Sequence, residues 1–444
     1  MKITFSLRST FIITTIMGIL FSVSAIVLRH KTQKCRDIAI LEQSGFTLRY
    51  RESVYDASGR LVRRSSTPTW IVRSLGCDPF AYPTYLKVPS HEPISDESWM
   101  IVDQLTTLEA VDISGHQRIN DADVLHFIHN KGLESFEGQG TSITGEGFKN
   151  FTARKLRSLI LAESPIDSQG VEVIANAFPE LEILWLDGAK IDEFSAKAVA
   201  NLTGLKELSV QNVKLDEKSI TQFNRLKNLE KLCISYGECE KVELNDLPLL
   251  RRVSCGNIPD GNSIAFRNLP ALDELPVSIV ASELHLAGLP KVRRLELLWC
   301  NSLTIEDVPS IEEATFGGCR GDVLRQLRNC AQLKSIEIRG GEDVTDESLR
   351  YLADKTQLER IAMSDVPISN QGLTYLAKLP NVREFSLISN HNITDSALDT
   401  LRTMPKLERI NVHFTKVSLG AIRRLQRDRP DLKIESDYDE VREK

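Results

Sequence analysis

The sequence lacks the patterns that mark most enzymes and metal-binding proteins. It contains no H-E-x-x-H, G-x-S-x-G or G-x-x-x-x-G-K-[ST] motif, and its eight cysteines include no C-x-x-C pair. The cysteines are also too widely scattered for a small disulfide-rich fold. We therefore predict no catalytic activity, no cofactor and no metal site.

Excess positive charge is also absent. Lys and Arg number 55 against 61 Asp and Glu, so the formal net charge is −6 over 444 residues. Proteins that bind nucleic acid usually carry a basic stripe or patch. The composition therefore predicts that nucleic acid is not a partner.

What the sequence does contain is a repeated unit of 19 to 25 residues. In its clearest copy, Leu358–Asn381, the residues Leu358, Ile361 and Met363 follow the L-x-x-L-x-L spacing of a leucine-rich repeat. One unit cannot bury its apolar side alone, so the copies must stack. Fourteen units begin at Leu108, Leu133, Leu156, Leu181, Leu205, Leu229, Leu250, Leu272, Val292, Ile311, Leu333, Leu358, Val382 and Leu407.

The ends and the middle of this array differ in the segment that comes after the strand. Nine units keep a helix-capping residue there, which predicts a helix: Asn120, Thr144, Asp167, Asp192, Asp216, Thr345, Ser369, Thr394 and Ser418. Between Leu229 and Gln332 the units shorten and alternate with period 2, which predicts strands: 242–244, 264–266, 284–286 and 303–305. The predicted fold is α/β, a leucine-rich-repeat solenoid (horseshoe) with a parallel concave β-sheet. Its convex side is helical at both ends and strand-like in the middle.

One long apolar run precedes the repeats. Thr10–Leu28 contains 19 residues without a charge, and as a helix it would span roughly 28 Å, close to the thickness of a bilayer core. The run predicts an N-terminal transmembrane anchor, with a signal peptide cleaved after Ala25 as the alternative. Its apolar residues continue past that cleavage position, which favours the anchor.

The orientation of this predicted anchor stays open. More basic residues come after the run than before it: Lys2 and Arg8 precede it, and Arg29, Lys31, Lys34 and Arg36 follow. This count favours repeats in the cytoplasm. Short signal anchors, however, often export the chain beyond them. The predicted organisation has five parts: a tail at 1–9, the anchor at 10–28, a leader that caps the stack at 29–84, the solenoid at 85–433 and an acidic tail at 434–444.

Several short motifs carry a family resemblance. They are Ser6-Leu7-Arg8 before the apolar run, Gln43-Ser44-Gly45 and Leu75–Phe80 in the leader, and turns such as Ile393–Leu398. With these motifs the chain resembles the bacterial membrane-anchored leucine-rich-repeat proteins that are numerous in planctomycetes. The resemblance implies a repeat fold and a membrane location, and it implies no particular chemistry.

Outward-facing strand residues are the candidates for binding, because repeat proteins usually bind through their concave face. Aromatic residues and arginine are the favoured anchors of protein interfaces, and they single out Trp185, Tyr236, Trp299, Arg252, Arg294, His413 and Phe414. The main prediction is a scaffold for a protein partner. The alternative is a cell-surface binder of glycan, which requires Trp185, Tyr236 and Trp299 to converge in one groove.

Two cysteines occupy the same position of neighbouring units. Strands stacked about 4.8 Å apart would bring Cys300 and Cys319 within reach of a disulfide. Buried cysteines, however, usually behave as small apolar residues. The sequence therefore predicts a stacked pair of free thiols.

Overall fold

The computed structural model describes most of the chain, which forms two compact units, 1–165 and 166–444. For residues 7–14, 53–55, 61–63 and 255 only the backbone is described. The described residues are 7–51, 53–55, 61–63, 67–75, 77–78, 80–90, 93–151, 153–234, 241–255, 262–276, 279–320 and 322–438.

The first unit contains a long helix, a small leader and the first repeats. Its helices are α1 (Leu7–Gln43), α2 (Thr69–Leu75), α3 (Asp96–Val102) and α4 (Asp121–Val124), with 3-10 turns at Leu125–Phe127 and Glu146–Phe148. Its strands are β1 (Thr47–Tyr50), β2 (Ser53–Tyr55), β3 (Leu61–Arg63), β4 (Pro83–Lys87), β5 (Ala110–Asp112), β6 (Ser135–Glu137) and β7 (Ser158–Ile160).

The leader covers the first strand of the repeats. β4, β5, β6 and β7 pair in parallel, whereas β1 lies antiparallel against the free edge of β4. A disulfide joins Cys35 of α1 to Cys77 after α2. Lys34 lies over the ring of Tyr82 with Nζ 3.3 Å from its centroid. The leader is thus tied to α1 by a covalent bond and by a cation–π contact.

The apolar residues of α1 beyond the leader are uncovered. Between Ile16 and Leu28, nine large apolar side chains are each more than half exposed. Within the part of the chain that the structure describes, no helix combines the length and apolar character needed to cross a membrane. The transmembrane helix expected at Thr10–Leu28 is therefore not supported here.

The second unit contains the remaining repeats. Its helices are α5 (Ser168–Ala177), α6 (Glu193–Val199), α7 (Glu217–Phe223), α8 (Val323–Gln326), α9 (Asn370–Leu376), α10 (Asp395–Arg402) and α11 (Leu419–Asp428), with 3-10 turns at Leu327–Asn329 and Asp346–Leu352. Its strands are β8 (Ile183–Trp185), β9 (Glu207–Val210), β10 (Lys231–Ile234), β11 (Lys241–Asn245), β12 (Arg252–Cys255), β13 (Ser263–Arg267), β14 (Ile279–Ala287), β15 (Arg294–Glu306), β16 (Glu313–Gly317), β17 (Ser335–Arg339), β18 (Arg360–Ser364), β19 (Glu384–Ser386), β20 (Arg409–Asn411) and β21 (Lys433–Glu435).

The predicted repeat register is confirmed. Every one of the fourteen residues that begin the units is at most 1 % exposed. In the unit of Leu358, the strand β18 buries Ile361 and Met363, and the helix α9 buries Leu373 and Leu376. We use the term strand face for the strand side chains that point away from this core.

The middle units carry strands in place of helices, as their period-2 alternation predicts. β11, β13, the second half of β14 and the second half of β15 form a parallel ladder. Leu244, Phe266, Leu286 and Ile305 align in one row of this ladder, and all four are buried. Left-handed residues end these strands and turn the chain: Asp246, Asn268, Gly288 and Asp307.

The helix-backed units are joined by a repeated clasp. Asp346 accepts hydrogen bonds of 2.7 and 2.6 Å from the backbone nitrogen and hydroxyl of Ser369, which caps the next helix. Asp395 makes the same pair of bonds to Ser418. Gly372 allows this close approach, because a Cβ there would collide with Asp346. The Asp of the repeated turn therefore bonds one unit to the next.

Eight of the nine expected caps occupy the N-cap position, and Thr144 differs. Thr144 donates to Asp121 at 2.7 Å, and the left-handed Gly145 begins the 3-10 turn instead. The prediction for Thr144 was wrong because this unit has only a short 3-10 turn, which starts one residue later than a helix capped by Thr144 would.

The C-terminal boundary also lies further along than expected. β21 pairs in parallel with β20, and Ile434 is buried. The expected division between 433 and 434 therefore falls inside a strand, because Leu432 and Ile434 continue the apolar pattern of the repeats.

Candidate functional site

The strand face of the second unit holds an aromatic side chain in a fixed position. Trp185 of β8 is half-exposed, and its Nε1 donates to Oε1 of Glu207 on β9 at 3.0 Å. The same Oε1 atom accepts from Nζ of Lys231 on β10 at 2.8 Å. That Nζ lies 5.6 Å from the centroid of the Trp185 ring. These three residues form what we call the Trp185 cluster.

The spacing of the repeats produces the Trp185 cluster. Ile183, Glu207, Lys231 and Arg252 occupy the same register on four successive parallel strands. Side chains in such a row lie close to one another, and an indole can reach diagonally to the next row. Glu207 comes 22 residues after Trp185, and Lys231 comes 24 residues after Glu207. Because these separations are close to one repeat length, stacking of the units brings the indole, the carboxylate and the ammonium together.

A hydrogen bond stabilises the charged form of Lys231. The hydrogen bond to Glu207 raises the pKa of Lys231, so the ammonium stays charged at neutral pH. Exposed Arg252 follows Lys231 in the same row and adds a second positive charge. An indole that is hydrogen-bonded and lies beneath a cation loses little rotational freedom when a partner binds.

Two more candidate residues lie on β15. Arg294 is 83 % exposed and lies 3.5 Å from a carboxylate oxygen of Glu313, measured from its Nε. Trp299 is half-exposed and lines a groove of about 600 Å³. At least four strand steps separate it from Trp185, which corresponds to ~19 Å at the usual spacing. These two indoles do not share one groove, so the condition for stacking a glycan between them is not met.

The remaining candidates lie at the C-terminal end or outside the described residues. Nδ1 of His413 is 3.0 Å from Oδ1 of Asp437, and the backbone nitrogen of Phe414 donates to the same carboxylate. Phe414 is left-handed, with φ of 55°, and 62 % exposed. Such a conformation is rare for a bulky residue. Tyr236 lies outside the described residues.

A charged cluster that was not predicted lies on the strand face of the first unit. Nζ of Lys87 is 2.6 Å from Oδ2 of Asp112, whose other oxygen accepts from the backbone of Ser114. Burial alone would raise the pKa of Asp112, but the bonds from Lys87 and Ser114 hold it below its usual value. Burial and the nearby Asp112 raise the pKa of Glu137, the next residue in the row.

Cys300 and Cys319 are free, buried thiols, as predicted. Their Sγ atoms donate to the backbone oxygens of Ser302 and Gly317. Burial raises the pKa of Cys319 to about 12. Among the described residues, no group of three or more His, Cys, Asp or Glu side chains is arranged to hold a metal ion.

The sequence analysis predicted Trp185 as a binding residue but did not identify Glu207 and Lys231, which fix the position of its ring. The signal was present, since Glu207 and Lys231 come after Trp185 by close to one and two repeat lengths. The Cys35–Cys77 disulfide had no such signal, because it depends on how the leader packs against α1.

No protein-family model matches the sequence. Solved structures with the same kind of fold do match. An internalin from Listeria monocytogenes is 16 % identical over 92 % of this chain and 94 % of that one, with a TM-score of 0.42. A leucine-rich-repeat protein from Leptospira interrogans is 13 % identical over 79 % of this chain and 88 % of that one, with a TM-score of 0.47.

A third match comes from the TLR13–ssRNA13 complex. The identity is 14 % and the TM-score 0.50, over 76 % of this chain and 55 % of that one. Identities at this level show the fold alone. The buried repeat register and the parallel strands, together with the match to the TLR13 structure, show that this chain has the leucine-rich-repeat fold.

Proposed function

We propose that the protein is a recognition scaffold that binds a protein partner through the strand face of its second unit. The Trp185 cluster is the observation that carries this proposal. Trp185 is half-exposed yet held by Glu207 and Lys231, and a fixed, partly exposed Trp beside charged groups is typical of interface hot spots. The scaffold does no chemistry of its own.

The charges of the site favour protein over nucleic acid as the partner. Lys231 and Arg252 are positive, but Glu207 lies in the same row and the whole chain has a net charge of −6. The TLR13 structure contains single-stranded RNA, whereas mixed charge around an indole is the composition of a protein interface. We expect the partner to present an apolar side chain to Trp185 and a carboxylate to Arg252.

Site-specific photo-crosslinking tests this proposal. A photoreactive amino acid at Ser254, an exposed residue of β12 in the same row of the strand register as Trp185, reports on the strand face. The same amino acid at Lys218, whose side chain is 74 % exposed on α7, reports on the back of a neighbouring unit. We expect a protein adduct from position 254 that Trp185→Ala abolishes. Adducts from position 218 alone would contradict the proposal.

We further propose that the apolar segment Thr10–Leu28 attaches the scaffold to a membrane. The exposed apolar side chains between Ile16 and Leu28 support this, because soluble surfaces rarely carry so large an apolar patch. Basic residues come directly after the patch, which suits the headgroup region. Full-length protein in the soluble fraction of lysed cells would contradict this attachment.

We also propose that the repeats face an oxidising compartment. The Cys35–Cys77 disulfide supports this side, because such bonds persist outside the reducing cytosol. The count of basic residues favours the cytoplasm instead, but two of the counted residues are bound to the leader. Lys31 donates a hydrogen bond to the Tyr82 hydroxyl, and Lys34 donates one to the Ala81 carbonyl. A C-terminal tag cleaved by protease added to intact cells is the expected result, and a protected tag would contradict it.

A further inference from the structure

A groove separate from the Trp185 cluster lies between the middle of β15 and the loops that follow β16 to β19. Trp299 forms one wall of this groove, whose volume is about 600 Å³. The loops after β16, β17 and β18 contribute Gly318, Gly340 and Asp365. Ligand sites commonly have volumes of about 300 to 1,000 Å³. We call this feature the Trp299 groove.

Two glycines keep the groove open beside the indole. Gly318 and Gly340 occupy the same left-handed position of adjacent units, with φ of 55° and 66°. A Cβ on Gly318 would lie 3.5 Å from Cδ1 of Trp299, and a Cβ on Gly340 would enter open space. The next units place Asp365 and Ser389 at this position, also left-handed. The fold therefore tolerates a side chain at this position. Because Gly318 and Gly340 have none, space remains open beside Trp299.

Four polar side chains at the groove are available to a ligand. Within the described part of the chain, the side chains of Arg320, Glu342, Asp365 and His391 form no hydrogen bond or ion pair, although all four line the groove. Elsewhere on this unit, opposite charges pair readily, as Lys334 does with Glu312 at 2.8 Å. The groove thus presents donors and acceptors whose only partner is solvent or a ligand.

This set of groups selects one class of ligand. One guanidinium, two carboxylates and an imidazole leave no strong excess of either charge, which disfavours a phosphate-rich or polycationic ligand. An uncharged ligand rich in hydroxyl groups can satisfy donors and acceptors together. The face of an indole suits the apolar face of a sugar ring. We propose that the Trp299 groove binds a short neutral saccharide.

This binding site goes beyond the proposed protein recognition and does not depend on it. The full-length protein can be labelled with 5-fluorotryptophan, which gives one fluorine signal for each of its four tryptophans. The Trp299 signal is assigned with Trp299→Phe. Neutral oligosaccharides of glucose, mannose and N-acetylglucosamine are then titrated to millimolar concentration. The expected result is a saturable shift of the Trp299 signal while the Trp185 signal stays in place.

Matched glycine variants sharpen the test. Gly340→Asn places a side chain in the groove, and Asn tolerates the left-handed conformation. Gly188→Asn makes the same change at the left-handed position of the Leu181 unit, away from the groove. We expect Trp299→Ala and Gly340→Asn to weaken saccharide binding at least tenfold, with unchanged circular dichroism, and Gly188→Asn to leave it unchanged.

Three results would overturn the proposal. The first is that no neutral saccharide shifts the Trp299 signal. The second is a shift of Trp185 in place of Trp299, which would move the site to the strand face. The third is that only peptides shift Trp299, which would make the groove part of a protein interface. A wild-type protein that binds saccharide but gives no adduct from position 254 would count against the proposed protein recognition alone.

Discussion

The helix-backed and strand-backed units share one inner strand but differ in the structure behind it. In the unit of Leu358, Ser369 caps α9 and bonds to Asp346 of the unit before. In the unit of Val292, β15 passes from the strand face to the back over the 13 residues Arg294–Glu306. The first kind fills its back with a helix, and the second with another parallel ladder.

The difference shows what determines whether a helix or a strand forms the back of a unit. The two determinants are the capping residue and the spacing of apolar residues in the segment after the inner strand. A polar cap before apolar residues at helical spacing gives α9, whereas period-2 alternation ended by a left-handed Asn268 gives β13. Both candidate sites lie where the two kinds of unit meet. Trp185 and Glu207 belong to helix-backed units and Lys231 to the first strand-backed unit, whereas the Trp299 groove lies where strand-backed units give way to α8.

The largest expected effect is on the core of the strand-backed units. Phe266 on β13 and Phe223 on α7 are both fully buried. Because both fill the space behind the inner strands, Phe266→Ala and Phe223→Ala should each lower the free energy of unfolding by about 3 to 5 kcal/mol. Urea denaturation measures both. A cost for Phe266→Ala far below that of Phe223→Ala would mean that the strand-backed units lack a packed core.

A smaller effect is expected for the clasp that only the helix-backed units possess. Asp395→Ala removes two bonds to Ser418 and should lower the free energy of unfolding by about 1 to 2 kcal/mol. Asp399→Ala, at an exposed position of the same helix, is the control. Equal stability of the two variants would show that the clasp contributes nothing.

The clasp should also make the helix-backed ends sensitive to acid. Hydrogen bonds from the backbone and side chain of Ser418 lower the pKa of Asp395. A lowered folded-state pKa gives stability that is present above the unfolded-state pKa and is lost as pH falls through the folded-state value. Hydrogen exchange should therefore show α10 and α11 losing protection in acid, while Asp395→Ala removes this dependence. An unchanged acid response in that variant would contradict the assignment.

An effect of opposite sign is expected at Phe414. Its left-handed backbone is costly for a residue with a side chain, so Phe414→Gly should raise the free energy of unfolding by about 1 kcal/mol. Asn212→Gly is the control, because Asn already tolerates this conformation. Thermal unfolding compares the two. If Phe414 also contacts the partner, Phe414→Gly will stabilise the fold while weakening binding.

The smallest effect concerns reactivity. Burial raises the pKa of Cys319 to about 12 and that of Cys330 to about 11. At pH 8 both thiols should resist maleimide in the folded protein and react after denaturation, as mass spectrometry would show. Cys35 and Cys77 should react only after reduction. Rapid labelling of native Cys319 would show that the stacked units open locally.

Patterns that repeat were predictable from the sequence, and contacts between unlike segments were not. The fourteen buried starts and the row of Leu244, Phe266, Leu286 and Ile305 result from spacing alone. Trp185 could be named as exposed, but its bond to Glu207 needed the register of neighbouring strands.

Features outside the repeat were harder to predict for a physical reason. The Cys35–Cys77 bond depends on a leader that has no internal period. The Trp299 groove depends on Gly318 and Gly340, which have no side chain, and on polar groups that are unpaired among the described residues. Neither feature can be recognised from a local sequence pattern. Trp299 itself was a candidate, whereas its surroundings were not.

The central claim is that the strand face, and not the back, recognises the partner. One unit offers a matched pair for testing it: Trp185 on the strand face, and Phe194 on α6, which is 75 % exposed. The decisive measurement is the Kd of the crosslinked partner, once purified, for the wild-type protein, Trp185→Ala and Phe194→Ala. We predict at least a tenfold loss, about 1.4 kcal/mol, for Trp185→Ala and none for Phe194→Ala. A loss with Phe194→Ala alone would place the interface on the back of the repeats and contradict the claim.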